Sequence, residues 1–141
     1  MGHDPAGRVL RGAPRYMTGP DDAVGSEAAT AIIDLAKSAA GGPLYVAALG
    51  CVTNVAAALL MAPEIVRDLV VVWTSSYPST ALHSNRPSLN LVQDLPASRL
   101  LFDSGVPLVY IPGSQVGAQL RVSLGTAIPA AISSERRTTC S

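Results

Sequence analysis

The fold is decided by residues 42–73, which read GPLYVAALGCVTNVAAALLMAPEIVRDLVVVW. Leu44–Leu49 is apolar at every position, a pattern typical of a parallel strand that is covered on both faces. Leu69–Trp73 is a second run of the same kind. Because a helical segment separates the two runs, they predict a strand–helix–strand unit with parallel strands and a right-handed crossover.

The segment between these two strands has the start signals of helices. Gly50 ends the first strand, and Thr53 or Asn54 is placed to cap the Ala-rich helix that follows. Pro63 lies where the first turn of a second, short helix accepts proline. The crossover is therefore predicted to contain one Ala-rich helix and one short helix.

The rest of the chain extends the same pattern. Ser26 is predicted to cap a helix before the first strand, and Asp94 to cap a helix over Leu95–Asp103. Leu108–Ile111 predicts a third buried strand. The fold class is therefore α/β, a parallel sheet with helical crossovers, and the sheet is incomplete. Residues 1–25 are predicted to form an irregular N-terminal segment, residues 26–125 the α/β domain, and residues 126–141 a flexible tail.

Composition restricts the possible partners and compartment. The chain has 141 residues, ten basic and ten acidic side chains, and no net charge, which gives no electrostatic reason to expect nucleic acid or an anionic membrane. No apolar run is long enough to span a bilayer, and the N-terminus lacks the apolar core of a signal peptide. Cys51 and Cys140 are too few for a disulfide framework. We therefore predict a cytoplasmic protein without membrane or nucleic-acid partners.

A ligand site is expected where the three strands end. The carboxyl ends of parallel strands meet at one edge of a sheet, and open α/β sheets bind ligands at that edge. Here the edge is predicted to carry Gly50–Asn54, Thr74–Asn90 and Pro112–Gln115. This placement locates a pocket without naming a reaction.

Three stretches in this order carry a resemblance to a known family. They are PLYVAALGCVTNVAAALLMAPEIVRDLVVVW, SLNLVQD and LLFDSGVPLVYIP. From about Ser26 to about Leu124 the chain resembles the inosine-uridine-preferring nucleoside hydrolases. The resemblance implies a nucleoside hydrolase-like, Rossmann-like α/β fold and hydrolysis of the N-glycosidic bond of a ribonucleoside. It also implies a calcium ion that orients the attacking water and the ribose hydroxyls, with an aspartate as base.

Four residues match positions that have roles in this family. The resemblance implies that the backbone carbonyl of Thr53 is a calcium ligand, with a helix N-cap as the alternative. It implies that Asn90 and Asn85 contact the ribose, and for Asn90 the alternative is an ordinary loop asparagine in an Asx turn. Trp73 lies near the pocket wall, with a core tryptophan as the alternative. Asp94 is interpreted as a cap or brace rather than a catalyst.

The chain also departs from the family. No stretch of the chain matches the Asp-x-Asp-Pro-Gly-x-Asp-Asp pattern that supplies metal ligands and the base in the family. His3-Asp4-Pro5 and Asp21-Asp22 are the nearest candidates, but neither comes after a buried strand. Ser88 and Leu89 stand where the family has Glu and Phe. Calcium needs several oxygen ligands, so the Thr53 carbonyl alone does not complete a site.

Two functions from different classes follow. The first is a nucleoside hydrolase-like enzyme, implied by the resemblance, whose catalytic competence is in question because the aspartate motif is missing. The second is a non-catalytic α/β module that binds a nucleoside or sugar, or that serves as an interaction subunit. The enzyme and the binding module imply a small-molecule nucleoside or ribose as ligand, and homo-oligomerisation is left open in every case.

Overall fold

The computed structural model describes residues 6–75, 88–113 and 116–119. Within those ranges no helix combines the length and apolar character needed to cross a bilayer. Short 3₁₀ turns lie at Pro63–Arg67 and Gly117–Gln119. The helices and strands, in chain order, are α1 (Glu27–Ser38), β1 (Leu44–Ala48), α2 (Thr53–Met61), β2 (Leu69–Ser75), α3 (Leu89–Val92), α4 (Leu95–Asp103) and β3 (Leu108–Pro112).

The three strands form one parallel sheet in the order β1-β2-β3. Val71 on the central strand is in register with Val46 on β1 and Leu108 on β3. Helices lie between consecutive strands, so the predicted α/β class with a parallel, incomplete sheet is confirmed. The strands end at Ala48, Ser75 and Pro112, which places all three carboxyl ends at one edge.

Within the described part of the chain, the helices cover one face of this sheet. The central strand alternates strictly, with Leu69, Val71 and Trp73 buried and the residues between them half-buried. The prediction that Leu44–Leu49 is covered on both faces is wrong, because Tyr45 is 69% exposed and Leu49 is 78% exposed. The strands lie in the sheet in the order in which they occur in the sequence. Two crossovers of the same hand therefore place α2 and α4 on the same face of the sheet, and the two helices pack on each other there.

Two of the predicted helix caps are observed, and a third is not. Ser26 Oγ accepts from the amide of Ala29, and Asp94 Oδ1 accepts from the amide of Ala97, both at 3.0 Å. The start of α2 has no side-chain cap, since the residue before it is Val52. The prediction that Thr53 or Asn54 caps this helix is therefore wrong, because both side chains bond to distant parts of the chain instead.

The N-terminal segment, residues 6–25, contains no helix or strand, yet it is held against the helical layer. Met17 and Val24 are each 5% exposed and belong to the core. The Asn54 side-chain oxygen accepts from the amide of Ala13 at 2.8 Å and from the hydroxyl of Ser26 at 2.9 Å. These contacts join the irregular segment to the start of α2. The domain boundaries at 25 and 126 stay predictions.

A carboxylate in this segment makes its stability depend on pH. Arg15 donates to Asp22 through both terminal guanidinium nitrogens, and Thr18 donates through its amide (2.9 Å) and hydroxyl (2.7 Å). Hydrogen bonds from Arg15 first, and then from Thr18, hold the pKa of Asp22 well below its ordinary value of 3.8. A lowered folded-state pKa contributes stability above the unfolded pKa and loses it as pH falls through the folded pKa.

We therefore expect acid to destabilise the wild-type protein more than the Asp22→Asn variant. Urea unfolding between about pH 5 and about pH 2 measures the stability of both proteins. The stability advantage of wild type over Asp22→Asn should shrink as the pH falls below about 4. Asp21→Asn removes a neighbouring charge and none of these hydrogen bonds, so it is the control. Equal acid dependence in wild type and Asp22→Asn would contradict the assignment.

Candidate functional site

Asn90 lies at the carboxyl edge of the sheet and joins two strand ends. Its side-chain nitrogen donates to the carbonyl of Thr74 at 2.8 Å and to the carbonyl of Leu49 at 3.2 Å. Both partners are acceptors, so the nitrogen of the amide must face them. The side-chain oxygen Oδ1 has no hydrogen-bond partner within the described part of the chain. Asn90 therefore joins the end of β1 to β2 and has one acceptor that no described residue uses.

A second contact fixes the position of α3 and hence of Asn90. The hydroxyls of Ser75, at the end of β2, and Ser88, before α3, lie 2.8 Å apart and share a hydrogen bond. The segment between them, residues 76–87, is outside the described residues. Asn85, a predicted ribose contact, lies in that segment, and its role stays a prediction. The Ser75–Ser88 bond joins the end of β2 to the residue before α3.

Thr53 and Asp94 form a buried brace behind the edge. Asp94 is 1% exposed and Thr53 is 3% exposed. One carboxylate oxygen of Asp94 accepts from the hydroxyl of Thr53 at 2.6 Å and from the amide of Met17 at 3.1 Å, and the other accepts from Ala97 at the start of α4. Three separate parts of the chain therefore meet at one carboxylate, as the interpretation of Asp94 as a cap or brace expects.

The residues around Thr53 do not fit a calcium ion. As the first residue of α2, Thr53 directs its carbonyl along the helix toward the amide four residues on. The nearby carboxylate of Asp94 already accepts three hydrogen bonds from the protein. Nowhere in residues 6–75, 88–113 and 116–119 do three His, Cys, Asp or Glu side chains cluster. Calcium needs six to eight oxygen ligands, so these donors alone do not hold it.

Trp73 occupies the core on the helical side of the sheet. Its side chain is fully buried, and its ring lies 5.3 Å from that of Tyr110 and 5.8 Å from that of Phe102. The indole Nε1 donates to the carbonyl of Gly50 at 2.8 Å. Trp73 is therefore a core tryptophan, the alternative to a residue near the pocket wall. The residue influences the edge by holding the loop after β1.

Asn90 and Thr53 lie on the same edge but are not bonded to each other within the described residues. Asn90 bonds to Leu49, which lies four residues before Thr53, while Thr53 bonds inward to Asp94. A groove of about 620 Å³ lies elsewhere, between the N-terminal segment, α2 and α4. It includes no strand-end residue. Among the predicted site residues that the structure describes, Asn90 is therefore the one whose side chain lies at the carboxyl edge.

The sequence singled out residues of this site but did not reveal the residues to which their side chains bond. The N-cap signal of Asp94 is visible in the sequence, whereas its bonds to Thr53 and Met17 span 41 and 77 residues. The two bonds of Asn54 to Ala13 and Ser26 have no local signal either. Asn90 was selected through the family resemblance, and nothing in its local sequence indicates that it bridges two strands.

Comparisons with known proteins bear on the fold. A scan against protein-family models and a search of curated proteins find no match to this chain. Among solved structures, the chain is similar to an inosine-uridine preferring nucleoside hydrolase from Bacillus anthracis, with a TM-score of 0.55 and 20% sequence identity. The match covers 78% of this chain and 37% of that protein. The chain therefore has a nucleoside hydrolase-like α/β fold and a distant structural relationship to that enzyme.

Proposed function

We propose that this chain is a nucleoside hydrolase-like module that binds the ribose of a nucleoside at the carboxyl edge of its sheet. One observation carries the proposal. Asn90 uses its side-chain nitrogen to join the carbonyls of Leu49 and Thr74 and leaves Oδ1 as a fixed acceptor. A ribose hydroxyl is a donor that such an acceptor binds.

Position and fold support the same ligand class. Open parallel sheets bind small molecules beyond the carboxyl ends of their strands, and Asn90 lies there. A fold shared with a nucleoside hydrolase makes a nucleoside the first ligand to test. The amide of Asn90 is held by two strand ends, so little side-chain entropy is lost when a hydroxyl binds to it.

Hydrolysis requires groups that the described residues do not bring to this edge. Cleavage of an N-glycosidic bond needs a base for the attacking water and a carboxylate or metal to support the positive ribosyl centre. The buried carboxylate nearest the edge, Asp94, accepts three protein hydrogen bonds and is shielded from solvent. We therefore propose binding without turnover by this chain alone, with hydrolysis as the alternative.

Base release and binding distinguish these alternatives. We expect no release of base from inosine or uridine above the buffer rate, with or without calcium, in a continuous absorbance assay. In ligand-observed NMR, ribose, inosine and uridine should show saturable binding. Calcium-dependent base release would establish hydrolysis in place of the module. Absence of saturable binding for all three compounds would overturn both the binding module and the hydrolase.

A further inference from the structure

The groove between the N-terminal segment, α2 and α4 lies apart from the carboxyl edge of the sheet. We call it the α4 groove. It has a volume of about 620 Å³, and its apolar lining includes Leu60 of α2 and Leu100 of α4, both half-buried. A cavity of about 230 Å³ continues the groove along α2 and is lined by the same two residues. The α4 groove therefore has an apolar strip that follows two packed helices.

Three charged side chains border the α4 groove. Arg99 and Asp103 lie on α4, and Asp21 lies on the N-terminal segment. All three residues are exposed, and within the described part of the chain none of their side chains makes an ion pair or a hydrogen bond. Arg99 and Asp103 are four residues apart, the spacing at which opposite charges on one helix pair, yet they are not paired with each other. Their charges are therefore available to another molecule.

The exposed side of α4 carries apolar side chains next to these charges. Leu95 is 39% exposed and Phe102 is 48% exposed. They lie four residues before Arg99 and three residues after it, so all three share one face of the helix. Aromatic residues and arginine are enriched in protein–protein interfaces. We call this face, Leu95, Arg99, Phe102 and Asp103, the α4 ridge, and its composition is that of a contact surface.

A second copy of the α4 ridge has the charge that the α4 groove needs. The groove is bordered by two carboxylates and one guanidinium group, and the ridges of one helix pack into the grooves beside another. Arg99 and Asp103 are about 6 Å apart along the helix axis. When two copies of α4 lie antiparallel about a two-fold axis between these residues, Arg99 of each copy faces Asp103 of the other. A parallel arrangement would instead place like charges together.

We propose that two copies of this chain form a two-fold dimer in which the α4 ridge of each copy lies in the α4 groove of the other. The helix is only nine residues long, so the interface is small and the dissociation constant is on the order of 100 µM. At about 5 µM the chain is therefore monomeric. The proposal is independent of nucleoside binding, because Asn90 bonds to strand ends and does not line the groove.

Charge reversal in the full chain tests this dimer by analytical ultracentrifugation between about 10 µM and about 1 mM. Arg99→Asp and Asp103→Arg should each weaken the wild-type dimer at least about tenfold, because like charges then face each other. An equimolar mixture of the two variants should form a heterodimer, since one carries only carboxylates and the other only guanidinium groups at the paired positions. Arg67→Asp is the matched control, because Arg67 is exposed and lies outside the groove and its continuation.

Salt gives a second measurement that needs no variant. Raising NaCl from about 0.05 M to about 0.5 M should weaken the wild-type dimer, because salt screens exposed charges. Four results would overturn the proposal. They are a wild-type chain that is monomeric at about 1 mM, a dimer that Arg99→Asp weakens no more than Arg67→Asp does, a mixture of the two variants without heterodimer, and a dimer that salt does not weaken.

Discussion

Replacing Asp94 with alanine is expected to lower the free energy of unfolding by about 4 kcal/mol. The substitution leaves the buried amide of Met17 without an acceptor and the buried hydroxyl of Thr53 with only the weak sulfur acceptor of Cys51 at 3.7 Å, and each such loss costs roughly 1–3 kcal/mol. It also removes the cap from α4, worth roughly 1 kcal/mol. Domains of this kind are stable by only about 5–15 kcal/mol, so most of the margin is lost.

Urea unfolding followed by circular dichroism measures this effect. Asp103→Ala is the matched control, because Asp103 is an exposed aspartate at the other end of the same helix. We expect that control to stay within about 0.5 kcal/mol of wild type. Thr53→Val removes one of the three donors and should cost about 1 kcal/mol. A loss below about 1 kcal/mol for Asp94→Ala would mean that the buried brace contributes little to stability.

Trp73→Ala is the second change with a large expected effect, a loss of about 3–5 kcal/mol. Trp73 is fully buried, packs against the rings of Phe102 and Tyr110, and donates to the carbonyl of Gly50. The large cavity left by alanine has no side chain to fill it. Trp73→Phe keeps most of the ring contact and loses the hydrogen bond, so it should cost about 1 kcal/mol.

Tyr110→Phe is the control within the same aromatic cluster. The buried hydroxyl of Tyr110 has no hydrogen-bond partner among the described residues, so its removal should be neutral or stabilising. Thermal unfolding by circular dichroism measures all of these variants. Because the chain contains a single tryptophan, its fluorescence reports unfolding of the Tyr110 variant directly. Nearly equal stability of Trp73→Ala and wild type would contradict the packing described.

Local sequence patterns predicted the elements of this fold well. The apolar runs at Leu44 and Leu69 became parallel strands, and Asp94 caps a helix whose observed bounds, Leu95–Asp103, are those predicted. These features depend on short-range chemistry, such as the length of an apolar run or a capping side chain beside a proline. Such chemistry is present in any window of about ten residues.

Features that depend on distant residues were not predictable in the same way. A fully apolar run such as Leu44–Leu49 shows that a strand is suited to burial on both faces, but the sequence does not show whether a second layer is present. Thr53 has the side chain of a helix cap, yet its hydroxyl bonds to Asp94, 41 residues away. For the site, Asn90 was identified through a family resemblance, whereas its two strand-end bonds required coordinates.

Titration of inosine into three forms of the protein tests the central claim, that Asn90 presents an acceptor to a ribose. Wild type should bind inosine at one site in isothermal titration calorimetry. Asn90→Ala and Asn90→Asp both lose the bonds to Leu49 and Thr74, but only the alanine variant lacks the acceptor. We expect Asn90→Ala to bind about tenfold more weakly than wild type and Asn90→Asp to fall between the two, because its carboxylate keeps an acceptor but is repelled by the carbonyls of Leu49 and Thr74. Equal affinity of Asn90→Ala and wild type, or no binding by wild type, would contradict the account.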